Sequence, residues 1–303
     1  MRLPNPFPYQ GSKRNIADRI LAFFPKDISR LIEPFAGSAA VSIAAGYSGK
    51  AKSFIINDIN KPLMNLWSSI IDEPEKISSS YEALWNRQLG MEREFYNQIR
   101  TLHNKDPRPE YFLYLLARCV KGSIRYNSNG DFNQSPDNRR KGMRPERMRK
   151  NIVQISRLFR GRAELFNEDY KDVLDISKAA DLVYMDPPYQ GVGGVRDPRY
   201  IMGLSRDEFI DALASLNEKG VSYILSYDGR TGDKFYGESL PEKLYLLRVE
   251  MSAGRSSQAT LLGRKENTFE SLYLSPALRE RMDFPDKDEE IVMPCRNLLF
   301  QGS

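Results

Sequence analysis

The chain has 303 residues, 41% hydrophobic and 28% charged, which is the composition of an ordinary soluble protein. One histidine, His103, and two cysteines, Cys119 and Cys295, are too few for a Cys/His zinc site, a histidine-based triad or a disulfide framework. We therefore predict no metal site and a reducing, cytoplasmic location. No apolar run approaches the roughly 20 residues that span a bilayer, and no signal-peptide pattern is visible, so no membrane partner is expected.

The positive charge is concentrated in the middle of the chain. The net charge is +5, but residues 118–165 alone carry 13 Lys/Arg and 4 Asp/Glu, a local net charge of +9. The rest of the chain is therefore mildly acidic, at −4. A basic segment of this kind is typical of a nucleic-acid-binding surface, although a merely solvated surface has the same composition.

The N-terminal part alternates between predicted strands and helices. A short strand over 31–35 leads through a turn at 36–38 into a small-residue helix over 39–45. A second strand over 53–57 ends at Asp58, and a further helix follows Pro62 and extends through Ile71.

The remaining elements predict an α/β fold with a helical insertion. Helices are predicted over 81–89, 92–102 and 111–120, with a Gly/Asn-rich interruption over 122–142, and strands over 163–166, 182–185, 222–226, 244–249 and 271–274. Alternating strands and helices favour a mostly parallel, doubly wound sheet. We assign residues 1–74 and 162–280 to an α/β domain, 75–161 to a helical insertion, and 281–303 to a tail. Its last seven residues look like the remnant of a protease site.

The first strand–helix turn has features of a nucleoside-binding site. Glycine at position 37 allows a ligand to approach the backbone, and Asp58 follows 21 residues later, a spacing typical of the acid that binds ribose hydroxyls. Only one glycine is present, so a dinucleotide is disfavoured and a ligand such as S-adenosylmethionine is preferred. A tight turn followed by an incidental acid remains an alternative.

The segment Asp186-Pro187-Pro188-Tyr189 follows the apolar run Leu182-Val183-Tyr184-Met185, which predicts a buried parallel strand. Ligands of open α/β sheets bind at the carboxyl ends of such strands. The Asp186 carboxylate and the Pro187 carbonyl are two acceptors suited to an exocyclic amine, and Tyr189 is suited to stacking on the ring that carries it. A common loop sequence after a strand is the alternative.

Taken in order, these segments resemble the Dam-like, alpha-order class of adenine-specific DNA N6-methyltransferases. The resemblance rests on Pro6 to Lys13, Glu33-Pro34-Phe35-Ala36-Gly37, Asn57-Asp58-Ile59-Asn60, residues 122–127 with 130–133, Asp169-Tyr170, and Asp186-Pro187-Pro188-Tyr189. It covers roughly residues 5–275. Two departures are visible: Tyr9 stands where Trp is frequent, and Ala39 replaces a frequent second glycine.

The resemblance implies a Rossmann-like methyltransferase sheet and specific roles for its residues. Lys13 would lie near the carboxylate of S-adenosylmethionine, Asp58 would bind its ribose, and Ile59 would pack on its adenine. The full set implied for the cofactor is Tyr9, Lys13, Pro34, Phe35, Ala36, Gly37, Ser38, Asp58, Ile59, Asp169 and Asp186. The implied catalytic residues are Asp186, Pro187 and Tyr189.

The same resemblance implies that residues 1–74 and 162–280 form a cofactor-binding and catalytic domain and that residues 75–161 form a helical target-recognition insertion. The expected contacts to double-stranded DNA are Arg125, Tyr126, Asn127, Arg139, Arg140, Lys141 and Arg144. The implied reaction is methylation of adenine N6 by base flipping and direct in-line attack, in a restriction-modification system with a cognate restriction endonuclease as a candidate partner. The oligomeric state is left open between monomer and dimer.

Three further points remain open in the sequence. The run Gly191-Val192-Gly193-Gly194 is interpreted either as a loop that orders on DNA or as a plain surface loop. Pro294-Cys295 resembles the nucleophilic dipeptide of cytosine-C5 methyltransferases, but we interpret it as incidental. Amine methylation on RNA or on protein glutamine, and DNA binding without turnover, are the competing functions.

Overall fold

The computed structural model describes residues 3–188, 204–231, 234–236, 240–255, 267–284 and 291–293. Tyr189, the Gly191–Gly194 run and Cys295 lie outside these residues, as does most of the predicted tail. Within the described part of the chain, no helix is both long enough and apolar enough to cross a bilayer.

One mixed sheet organises the molecule, and the predicted α/β fold is confirmed. Its strands are β1 (Arg30–Glu33), β2 (Ser53–Asn57), β3 (Ala163–Phe166), β4 (Leu182–Met185), β5 (Ser222–Thr231), β6 (Lys234–Tyr236), β7 (Leu247–Arg255), β8 (Asn267–Leu274) and β9 (Ile291–Met293). Their order is β3-β2-β1-β4-β5-β8-β7-β9, with β6 paired to β5. Strands β3, β2, β1, β4 and β5 are parallel to one another, whereas β8 is antiparallel to both β5 and β7, and β9 is parallel to β7.

Helices connect and cover these strands. The described helices are α1 (Ala17–Ile20), α2 (Ala40–Tyr47), α3 (Lys61–Asp72), α4 (Pro74–Arg87), α5 (Glu92–Lys105), α6 (Pro109–Arg118), α7 (Pro145–Phe159), α8 (Tyr170–Asp175), α9 (Arg206–Glu218) and α10 (Pro276–Arg281). Several begin at polar residues that cap the helix; Asn60, for example, accepts a hydrogen bond from the backbone N–H of Leu63.

The sheet separates two hydrophobic cores because successive side chains of a strand point to opposite faces. Leu182 and Tyr184 of β4 lie in the larger core, which also contains apolar side chains from α2 to α7. Val183 and Met185 lie in the smaller core with residues of α8 and α9. Helices α5 to α7 and all of α4 except Pro74 lie in the predicted insertion over 75–161, and these helices share the larger core with the sheet.

The boundaries of β2, β3 and β4 match the prediction, but those of the antiparallel strands do not. The strand predicted over 244–249 begins at Leu247, because Glu242–Leu244 forms a short 3-10 helix and Tyr245 adopts a left-handed conformation with φ 51°. Strands β5 and β8 are longer than predicted, and β6 and β9 were not predicted at all.

Candidate active site and nucleic-acid interface

The carboxyl ends of β1, β2 and β3 are tied together by Asn57, the last residue of β2. Its side-chain amide donates to the Pro34 carbonyl at 2.9 Å and to the Glu168 carbonyl at 3.1 Å, and its oxygen accepts from the Glu168 N–H at 2.9 Å. Since Asn57 is buried, these bonds satisfy its amide group, which would destabilise the fold if it were buried without hydrogen-bond partners. They fix three strand-end turns relative to one another and bring Pro34 to Ser38, Asp58 and Asp169 to one edge of the sheet.

The turn after β1 is compact enough to require glycine at position 37. Gly37 has φ +50°, and a Cβ built there would lie 2.7 Å from Cε1 of the Tyr9 ring. The Gly37 carbonyl accepts from Trp67 Nε1 at 3.0 Å. Tyr9 therefore packs directly on the turn for which the resemblance implies a cofactor contact.

Ala39, which departs from the family pattern, has φ 47° and precedes helix α2. This left-handed conformation costs an alanine on the order of 1 kcal/mol more than a glycine. The substitution therefore leaves the geometry of the turn in place while straining the backbone of one residue.

Asp58 links the ends of β1 and β2. Its carboxylate accepts from the backbone N–H of Gly37 at 3.0 Å and from that of Asn60 at 2.9 Å. Burial raises the pKa of Asp58, and these two N–H donors oppose the increase. Each carboxylate oxygen has a second lone pair, so the group can also accept hydrogen bonds from a diol. The neighbouring Ile59 side chain is 46% exposed, which leaves an apolar surface beside this acid.

Asp186 follows β4 and is paired with Lys13 from the N-terminal segment. The Lys13 ammonium lies 3.2 Å from Asp186 Oδ1 and 2.9 Å from Glu270 Oε2, which belongs to β8. Burial raises the pKa of Asp186 to about 6; the Lys13 charge opposes the increase and the Glu270 charge adds to it. At neutral pH the Asp186 carboxylate is therefore mostly ionised and lies beside the buried Lys13 ammonium.

Glu33, the last residue of β1, is buried beneath the same edge. It accepts from the Ser42 N–H at 2.7 Å, and burial raises its pKa to about 8, with a smaller contribution from Asp186. Glu33 is therefore largely protonated at neutral pH, which limits the negative charge next to Asp186.

The first part of the basic segment forms a hairpin. Tyr126 pairs with Phe132, and the Asn127 side chain accepts from the N–H groups of Asn129 and Asp131, each at 2.9 Å. Arg125 and Asn127 are exposed. Asn104 of α5 holds the hairpin in both directions, donating to the Phe132 carbonyl at 3.0 Å and accepting from its N–H at 2.9 Å.

Tyr126 connects this hairpin to the sheet. Its hydroxyl lies 2.9 Å from the Asn60 amide nitrogen and 3.2 Å from the amide oxygen. Asn60 also caps α3 and its N–H binds Asp58. Tyr126 therefore contacts the end of β2 instead of lying free on the surface, and the two candidate regions are adjacent.

A loop over 134–144 follows the hairpin and is held by buried side chains of the helical region. These donate to backbone carbonyls of the loop: Tyr96 to Gln134 at 2.9 Å, Arg118 to Asp137 at 3.2 Å, Gln88 to Lys141 at 2.9 Å and Tyr81 to Met143 at 2.6 Å. The basic side chains of the loop, Arg139, Arg140, Lys141 and Arg144, are exposed. The backbone is thus fixed while the cationic groups face solvent.

The structure brings most of the predicted residues into two neighbouring groups. Tyr9, Lys13, Pro34 to Ser38, Asp58, Ile59 and Asp186 surround the ends of β1, β2 and β4, while Asp169 caps α8 just beyond β3 and accepts from the Lys171 N–H at 2.9 Å. The predicted DNA contacts lie on the hairpin and loop. Pro187 is buried, and the predicted Tyr189 lies outside the described residues.

Four residues of the site had no assigned role in the sequence interpretation. Glu33, Asn57 and Asn60 lie in motifs that carry the resemblance, beside Pro34 and Asp58, and that proximity was the available signal. Glu270 lies 257 positions from its partner Lys13, and no spacing rule relates them.

A family model described as D12 class N6 adenine-specific DNA methyltransferase matches residues 9–253. Among curated proteins, the chain is 31% identical to the retron Ec67 DNA adenine methylase of Escherichia coli, over 60% of this chain and 62% of that protein. It is 26% identical to modification methylase StsI of Streptococcus sanguinis, over 74% and 35%, and 28% identical to type II methyltransferase M.MjaIII of Methanocaldococcus jannaschii, over 60% and 68%. The match covers less than two thirds of the length of the first two of these relatives.

Proposed function

Because the chain belongs to the D12 class of N6 adenine-specific DNA methyltransferases, we propose that it transfers a methyl group from S-adenosylmethionine to the N6 amine of adenine in specific sites of double-stranded DNA. The observation that carries this proposal is the position of Asp186. Its carboxylate follows β4, paired with a buried lysine, at the same sheet edge as the Gly37 turn and Asp58.

The residues at this edge fit S-adenosylmethionine. The Asp58 carboxylate is suited to a ribose diol, and the exposed Ile59 side chain offers an apolar surface for the adenine ring. Tyr9 and the turn from Pro34 to Ser38 would line the methionine portion, with Asp169 as a further acceptor. When bound, the cofactor supplies an activated methyl group on a positively charged sulfur.

The protein side of the reaction is alignment and hydrogen bonding. The lone pair of an adenine amine is delocalised into the ring, so the amine is a weak nucleophile. An ionised Asp186 and the Pro187 carbonyl would each accept a hydrogen bond from one N–H of this amine and so favour a tetrahedral nitrogen. Asp186 would also stabilise the positive charge that develops on nitrogen. Tyr189 is proposed to stack on the flipped base.

Access to the amine requires base flipping, which costs a few kcal/mol. Phosphate contacts from the exposed Arg139, Arg140, Lys141 and Arg144 would contribute binding free energy, and Arg125, Tyr126 and Asn127 would lie closest to the flipped base. The contact between Tyr126 and Asn60 supports this assignment, because Asn60 lies just beyond the end of β2 and next to the Asp58 carboxylate that its N–H binds.

The biological setting is proposed from the printed names of the relatives. Two are named as a modification methylase and a type II methyltransferase, which favours a restriction-modification system with a cognate endonuclease. A methylase without a nuclease is the alternative, since other relatives are named only as DNA adenine methylases. We propose a cytoplasmic location and a monomer or dimer.

The test is transfer of a labelled methyl group from S-adenosylmethionine to duplex DNA, with RNA and protein as parallel acceptors. We expect label on adenine N6 of DNA alone. Label on RNA or on protein glutamine would replace the proposed substrate, and binding of DNA and cofactor without transfer would favour a non-catalytic protein. Detection of modified adenines in the genome of an expressing host would give the recognition site.

A further inference from the structure

Lys13 is shared by two carboxylates that reach it from different parts of the fold. Its ammonium lies 3.2 Å from Asp186 Oδ1 and 2.9 Å from Glu270 Oε2. The Lys13 side chain is only 6% exposed, and the two acids are 21% and 19% exposed. This arrangement is more shielded from solvent than an ordinary surface ion pair, so its charges interact strongly.

Glu270 is fixed by the sheet. It lies in β8, opposite Gly229 of β5 on one side and Met251 of β7 on the other. Strand β5 separates β8 from β4, the strand that leads to Asp186. Because β8 pairs with β5 in antiparallel orientation, its residue Glu270 lies at the site as a second acid beside Asp186.

Both carboxylates contact the Lys13 ammonium, and the shorter of the two contacts, at 2.9 Å, is the one to Glu270. A lysine paired only with Asp186 would occupy its lone pairs and compete with a substrate amine for them. With Glu270 present, the Lys13 ammonium is shared between two carboxylates, so that the Asp186 oxygens keep more of their capacity to accept hydrogen bonds from the amine.

We propose that Glu270 is a positioning residue, which holds the Lys13 ammonium so that the Asp186 carboxylate remains available as an acceptor for the substrate amine. This inference rests on the proposed function, because it assigns Asp186 to the methyl-transfer step. Glu270 does not contact the reacting atoms in this scheme. It acts through Lys13 and through its own charge.

A consequence is a specific pH dependence. Among the described residues, the titratable groups that face Asp186 are Lys13 from the N-terminal segment, Glu270 from β8 and the largely protonated Glu33 from β1. Glu270 raises the pKa of Asp186 and Lys13 lowers it. Removing the Glu270 charge should therefore extend ionisation of Asp186 to lower pH, and removing the Lys13 charge should do the reverse.

The test is the pH profile of kcat/KM for DNA methylation, which reports the groups of the free enzyme. We expect the wild-type rate to fall as the pH decreases through about 6. In Glu270→Gln this acid limb should move to lower pH by on the order of 1 pH unit, and in Lys13→Gln it should move to higher pH. A purely structural role would not shift the limb in opposite directions.

Two variants serve as controls. Glu250→Gln removes a carboxylate of the neighbouring strand β7, which pairs with Arg248 at 3.4 Å. The acid limb of its pH profile should coincide with that of the wild type. Glu270→Asp keeps the charge and should restore the wild-type limb. Thermal unfolding is measured for each variant, and if Glu270→Gln does not fold, Glu270→Ser is measured in its place.

The outcomes separate the two proposals. An active wild-type protein whose acid limb is unchanged in the neutral Glu270 variant would overturn the positioning role and leave the proposed function intact. A folded wild-type protein without methyl transfer to DNA would overturn the proposed function itself.

Discussion

Asp186 directly follows β4 at the proposed site. The proposed reaction depends on its carboxylate more directly than on any other described group. We expect Asp186→Asn, which keeps the shape of the side chain but removes the charge, to lower the single-turnover rate at least roughly 100-fold. Affinity for S-adenosylmethionine, measured by calorimetry, should change little. Asp211→Asn, at an exposed position of α9, is the matched control and should leave the rate unchanged. Near-normal transfer by Asp186→Asn would refute the catalytic assignment.

Asp58 is proposed to act at the binding step instead. Asp58→Ala removes the acceptor proposed for the ribose hydroxyls and should weaken binding of S-adenosylmethionine roughly 10- to 100-fold. It also removes the bonds to the Gly37 and Asn60 N–H groups. Asp58→Asn keeps an acceptor for one of them, so it should bind with intermediate affinity. Equal affinity of wild type and Asp58→Ala in the calorimeter would exclude this residue from the cofactor site.

Glu33 makes the stability of the protein depend on pH. Burial raises its folded-state pKa to about 8 from the ordinary value of 4.5. A carboxyl group with a raised folded pKa contributes stability at low pH, and this contribution is lost as the pH rises from 4.5 towards 8. Glu33→Gln keeps an acceptor for the Ser42 N–H but does not ionise.

We therefore expect Glu33→Gln to unfold with a flatter pH dependence than the wild type and to be more stable near pH 8, by up to a few kcal/mol. Chemical denaturation at a series of pH values measures this difference. Glu164→Gln, at an exposed position of β3, is the control and should follow the wild-type curve. Parallel curves for wild type and Glu33→Gln would show that Glu33 is not responsible.

At the scale of elements, the proposed nucleic-acid interface combines a fixed backbone with exposed charge. The hairpin is held by Asn104 of α5 through both the N–H and the carbonyl of Phe132. The following loop is held by four side chains of the helical region. Such preorganisation reduces the entropy that is lost when a surface binds a partner.

Release of the hairpin should therefore weaken DNA binding without changing cofactor binding. Asn104→Ala removes both hydrogen bonds to Phe132, and we expect DNA affinity to fall roughly 3- to 10-fold because the hairpin must be ordered on binding. Hydrogen exchange should be faster at the Phe132 amide. Gln98→Ala, at an exposed position on the same helix, is the control. Unchanged DNA affinity together with faster exchange would contradict a role of hairpin order in binding.

At the scale of the whole molecule, local patterns determined how much could be predicted. Strands β2, β3 and β4 have the predicted bounds, because each is a short, mostly apolar run with polar residues on both sides. The start of β7 was predicted too early, since Leu244 is buried in a 3-10 helix and periodicity does not distinguish that environment from a strand. The family and the α/β fold are confirmed, whereas the roles of individual site residues stay predictions.

Long-range contacts explain what could not be predicted. The pairing of Lys13 with Glu270 depends on the insertion of β8 between β5 and β7, which is a property of the sheet order and not of any local pattern. Likewise, no local pattern indicated that the Tyr126 hydroxyl contacts Asn60, which is 66 positions away. Local motifs indicated which residues matter, and the tertiary fold determines what each one touches.

The charge distribution of the whole chain leads to a prediction about salt. Arg139 and Arg140 are exposed on the loop over 134–144, and each phosphate neutralised by a cation contributes about 0.9 to the slope of log K against log salt. We expect replacement of both by Ala to reduce the magnitude of that slope by about 2 and to lower affinity for all duplex sequences to a similar extent. Fluorescence anisotropy at a series of salt concentrations measures both quantities.

A control with the same change in net charge separates local contact from long-range attraction. Lys171 belongs to α8 and Lys219 directly follows α9, and these two helices cover the opposite face of the sheet from the core shared with the helical region. Replacement of both by Ala should leave the slope close to that of the wild type, because these lysines would lie too far from the DNA to release its counterions. If the two double variants changed the slope equally, binding would depend on net charge alone, and the loop would not be the phosphate-binding surface.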